Sequence, residues 1–133
     1  MSENQEAGLI SFSDADIKAG YLVQEPSWYD YKILTCRENL SKKGTSTNYF
    51  VSLRGESGEM NGVEFQIMLN TSEGFRGKII RLFQAANGGN ELTAGKPYNW
   101  KDVIGLTISG YTQRGLDQNG NSINDVSDFR PKQ

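Results

Sequence analysis

A chain of 133 residues with 36% hydrophobic and 11% aromatic residues is long enough for one core without disulfides or metal, and too rich in aromatics for a wholly disordered chain. It has no histidine and a single cysteine, Cys36, which excludes Ser-His-Asp and Cys-His catalysis, an internal disulfide and a Cys/His zinc site, so neither metal nor cofactor is expected. The net charge of −2 excludes a uniformly basic nucleic-acid binder, but Lys32, Arg37, Lys42, Lys43 and Arg54 face only Glu38 between positions 32 and 54, and a sequence-blind phosphate binder needs only a local positive groove.

The first 20 residues hold Glu3, Glu6, Asp14 and Asp16 against Lys18. They show no basic segment followed by an apolar run, and no 18-residue apolar stretch occurs anywhere, so a cytoplasmic protein without membrane contact is expected. Residues 1–20 read as a flexible acidic arm with a short ordered piece near Ile10 to Phe12, and residues 21–133 as one domain.

Trp28 to Arg37, dense in aromatic and β-branched residues, predicts a first strand with Tyr29, Tyr31 and Ile33 on one face and Lys32, Leu34 and Cys36 on the other. A polar loop from Ser41 to Ser46 follows. Thr47 to Arg54 alternates Tyr49, Val51 and Leu53 with Phe50, Ser52 and Arg54, the period of a half-buried strand. Beyond a turn-rich stretch from Gly55 to Gly62, Val63, Phe65, Ile67 and Leu69 alternate with Glu64, Gln66, Met68 and Asn70. The period then becomes helical. Phe75, Ile79, Leu82, Phe83 and Ala86 predict a helix from Ser72 to Ala86, capped by Thr71 or Ser72 and closed by Asn87-Gly88-Gly89. Val103 to Thr112 predicts a fourth strand, Asn119-Gly120 suits a primed hairpin turn, and Ile123 to Phe129 predicts a fifth strand.

Three strands, a helix and two strands is the element order of a five-stranded OB-like barrel with its helix between strands three and four, and that mostly β fold is the expectation. A small α+β sheet shares the order. The Phe12-Ser13-Asp14 lead-in, Glu25-Pro26-Ser27-Trp28-Tyr29, the Ser41-Lys42-Lys43-Gly44 loop, Tyr49 to Leu53, Gly62 into Phe65, Ala85-Ala86, Val103-Ile104-Gly105 and the Asn124 to Pro131 tail together resemble a family of small bacteriophage proteins encoded among replication and recombination genes. The resemblance implies an OB-type protein that binds single-stranded DNA in the host cytoplasm. Trp28 stands where members of that family carry Gly, and the acidic C-terminal tip of bacterial single-strand-binding proteins is absent.

No phosphate-binding glycine loop is present, since Gly55, Gly58 and Gly62 lead into a strand rather than a helix. A two-metal nuclease needs clustered carboxylates, whereas Asp14, Asp16, Asp125 and Asp128 are scattered through arm and tail. Aromatics on polar strand faces beside cations suit single strands instead. Phe50 and Tyr111 are the candidate stacking residues, and Lys32, Lys42, Lys43 and Arg54 the candidate phosphate contacts. Trp100 reads as a plug over the barrel end, and Arg76, Lys78 and Arg81 as solvated helix charges.

The expected function is sequence-tolerant binding of single-stranded DNA, with RNA equally suited chemically, in phage-type replication or recombination and without catalysis. Replication or recombination proteins and a second copy of the chain are further partners that such a fold admits. The alternative is an OB-like protein-interaction module that docks on a replication enzyme or host factor.

Overall fold

The computed structural model describes residues 7–40, 42 and 44–133. Its five strands are β1 (Ser27–Leu40), β2 (Thr47–Gly55), β3 (Glu64–Asn70), β4 (Thr107–Leu116) and β5 (Ser122–Pro131). They form one antiparallel sheet in the order β3-β2-β1-β4-β5. A one-turn helix α1 (Asp14–Ile17) precedes the sheet, and α2 (Gly77–Ala86) lies between β3 and β4 in sequence. The fold is therefore mostly β with one substantial helix. The sheet is not closed: β3 and β5 are its edges, and residues of both, Phe65 and Ile123 among them, border one shallow pocket together with Tyr21 and Leu22.

Alternation builds the core. Tyr29, Tyr31 and Ile33 of β1, Val51 and Leu53 of β2, Ile67 and Leu69 of β3, and Ile108 of β4 turn to one side, where Leu82, Phe83 and Ala85 of α2 close over them. Each large apolar side chain removed from water there contributes about 1.5–3 kcal/mol before entropy is charged against it. Lys78 and Arg81 of α2 are ion-paired to Asp125 and Asp128 of β5, at 3.8 and 2.7 Å, so they are not merely solvated charges.

Two bulges change the phase of the alternation. In β1 the register slips between Ile33 and Thr35, and in β5 Tyr111 pairs with Asp128 while Thr112 pairs with Val126. An extra residue in one strand sends every later side chain to the opposite face. Cys36 accordingly packs against the core beside Val51, rather than sharing a face with Lys32 as strict alternation predicts.

Several predicted boundaries move. The helix begins at Gly77 and not at Ser72, because Gly74 has φ +91°, outside the right-handed helical region, and Phe75 and Arg76 fold back onto the Ser72 carbonyl; Phe75 is exposed rather than on the apolar stripe. The fourth strand begins at Thr107, since Trp100–Asp102 is a 3₁₀ turn and Gly105 has φ +90°. No non-glycine residue among those described has positive φ, so Asn119-Gly120 is not the primed turn; Gly120 alone is left-handed, and the Asp117 carboxylate accepts the Asn119 and Asn121 N–H groups at 2.8 and 2.9 Å. In the arm, regular structure falls at Asp14–Ile17 instead of Ile10 to Phe12. From Tyr21 onward the chain is fastened: Asn124 accepts from the Val23 N–H and donates to the Tyr21 carbonyl, both at 2.8 Å, and Arg114 donates to the Val23 carbonyl at 2.9 Å.

Candidate nucleic-acid interface

The face opposite the core carries Trp28, Asp30 and Lys32 along the first half of β1, then Thr35 and Arg37 after the bulge. Register places Lys32 directly between Arg54 of β2 and Thr107 of β4, Thr35 beside Ser52, and Arg37 beside Phe50, which in turn neighbours Met68 of β3. At the other end Trp28 neighbours Tyr111, which neighbours Asp128, and Asp30 lies beside Ser109, next to Arg130.

Two arginines rest on aromatic rings. The Arg37 guanidinium carbon lies 4.6 Å from the centroid of Phe50, and that of Arg130 lies 4.2 Å from the centroid of Trp28. Tyr111 meets Trp28 edge-on, with centroids 5.7 Å apart. Such cation–π contacts stabilise by about 0.5–1 kcal/mol at exposed sites. The ion pairs among the described residues are those of α2 with β5, and none includes Lys32, Arg37, Arg54 or Arg130. The Nε–H of Arg130 is buried without a hydrogen-bond partner.

Of the residues predicted from sequence, Lys32, Arg54 and Phe50 come together on this face, and each is half-buried. Tyr111 is half-buried on the same face but stands with Trp28 rather than with Phe50; their β1 neighbours Trp28 and Arg37 are nine positions apart on a strand that holds a bulge, so at most about 30 Å at 3.3 Å per residue. Lys42 is exposed in the β1–β2 connection, and Lys43 lies outside the described residues. Trp100 packs on Tyr49 and Phe83, with centroids 5.1 and 4.8 Å away, beside the core.

Trp28, Arg37 and Arg130 belong to this surface and were not predicted for it. Period-2 counting from Lys32 sends Arg37 to the core face, and counting from Val126 does the same to Arg130; in each case the bulge re-aims the side chain outward. Trp28 is in phase with Lys32, so its position was readable from alternation alone.

No family model and no curated protein matches the chain. No helix among the described residues is long and apolar enough to cross a membrane.

Proposed function

We propose that the outer face of the sheet binds single-stranded nucleic acid, DNA foremost, without reading its sequence, and that the chain is a non-catalytic, OB-like single-strand-binding protein of the phage replication and recombination type. The observation that carries this is the juxtaposition of Lys32 and Arg54. They are register partners on adjacent strands, about 5 Å apart at Cα, and no ion pair among the described residues includes either. Like charges directly opposite each other destabilise a sheet; Glu64, the register partner of Arg54 on β3, and Glu56, which accepts the Thr107 hydroxyl at 2.8 Å, offset part of that term without forming an ion pair among the described residues, and an anionic ligand would offset more of it. Phosphates supply the anion. Beside them the Arg37 guanidinium lies over the Phe50 ring, a pair whose planar cation and aromatic edge suit an unpaired base.

The strand order with the helix between β3 and β4 supports the OB reading, with the gap between β3 and β5 as the barrel seam.

Fluorescence anisotropy with single-stranded DNA, single-stranded RNA and duplex DNA at several salt concentrations tests the proposal. Single strands bind more tightly than duplex, and Lys32→Gln or Arg54→Gln each lowers the slope of log affinity against log salt by about 0.7. Equal binding of duplex and single strands, or slopes unchanged by both substitutions, contradicts it. One observation favours a second reading, docking on a replication enzyme or host protein: Leu9, Ile10 and Phe12 of the arm are exposed apolar residues. An arm serving that role can be deleted without loss of oligonucleotide affinity.

A further inference from the structure

We infer that Trp28, Arg130 and Tyr111 form a second nucleobase platform, separate from the one at Phe50, and that a strand must span both for full affinity. This rests on the single-strand reading of the same face. The two platforms are built alike. Each holds a guanidinium over a half-buried aromatic ring, at 4.6 Å for Arg37 on Phe50 and 4.2 Å for Arg130 on Trp28. Each arginine reaches the outer face only because a β-bulge shifts the phase of its strand.

Arg130 keeps hydrogen-bonding capacity that the described protein groups leave unused. No carboxylate pairs with it among the described residues, and its Nε–H lacks an acceptor. The acids nearest in register are already engaged: Asp128 pairs with Arg81 at 2.7 Å, and Asp30 accepts the Ser109 hydroxyl at 2.5 Å. A guanidinium held on an indole presents a planar surface to a base and N–H groups to a phosphate or base carbonyl. Lys32 and Arg54 lie between the platforms to follow the backbone. A separation of at most about 30 Å corresponds to no more than about nine nucleotides at the stacked rise of 3.4 Å, and to fewer in a stretched strand.

The test uses the full chain and oligothymidylates from about 4 to about 16 nucleotides, the range of site sizes for one OB domain. Affinity rises by at least about fivefold, beyond the statistical gain from length, once the strand spans both platforms. Arg130→Gln and Trp28→Leu each remove that step, with thermal melting run alongside. In the Trp100→Phe protein, where Trp28 is the sole tryptophan, the longest oligonucleotide quenches its emission. If Arg130→Gln binds every length like the wild type and Trp28 emission is unchanged while Phe50→Ala binds weakly, the second platform is refuted and the single-strand reading survives. If the wild type binds no oligonucleotide of any length, both fall.

Discussion

The hydroxyl groups of Tyr31 and Thr112 lie 2.6 Å apart inside the sheet and tie β1 to β4 across 81 residues of sequence. Both side chains are fully buried, and burial pushes the Tyr31 phenol well above its usual pKa. The Thr112 hydroxyl also reaches the Gly110 carbonyl at 3.2 Å, so the two partners do not depend on each other equally. Thr112→Val leaves the phenol without its partner in the core and costs about 1–3 kcal/mol, whereas Tyr31→Phe leaves Thr112 with a second acceptor and costs about 1 kcal/mol. Urea unfolding of the two variants yields that order.

Asn124 is the clasp between the domain and the segment that follows the arm. Its side chain satisfies both the Val23 N–H and the Tyr21 carbonyl, and Val23 is itself buried. Asn124→Ala strands the Val23 N–H and costs about 1–3 kcal/mol. Local opening of this segment also speeds tryptic cleavage after Lys18, which limited proteolysis of the folded variant detects.

Cys36 makes a pH-dependent prediction. Partial burial, reinforced by repulsion from Glu38, pushes its thiol from 9.0 up to about 11. The folded chain favours the protonated thiol, so this contribution to stability is intact below about pH 9 and falls away as pH rises towards 11, a window in which the unfolded chain ionises ahead of the folded one. The rate of Cys36 alkylation in the native protein follows the thiolate and has its midpoint near pH 11, against about 9 in urea.

The strands and the inward stripes of Tyr29, Tyr31, Val51, Leu53 and Ile67 were legible in the sequence because alternation is a local signal that burial enforces. What was not legible depends on register or on backbone torsion. The residues from Ser72 to Arg76 fit a helical apolar period, yet Gly74 adopts a left-handed φ, which no periodicity reveals. Alternation places Lys32, Phe50 and Arg54 on the outer face correctly because they lie on the regular side of the β1 bulge or on a strand without one. The outward placement of Arg37 and Arg130 was not legible because each lies just beyond a bulge, and the distance of Tyr111 from Phe50 follows from which part of β1 each strand pairs with.

Phe50 tests the central claim most directly, since it sits on the face opposite the core, out of phase with the buried Val51 and Leu53. Stacking of a base on an aromatic is worth about 1–3 kcal/mol by alanine substitution, whereas truncating a core Phe costs about 3–5 kcal/mol of stability. Phe50→Ala is therefore expected to weaken binding of a single-stranded oligonucleotide by about fivefold or more, with the melting temperature within about 4 °C of the wild type. A variant that melts far earlier, and whose folded fraction binds the oligonucleotide like the wild type, would contradict the account: Phe50 would then be a packing residue, and this face would not be where single strands bind.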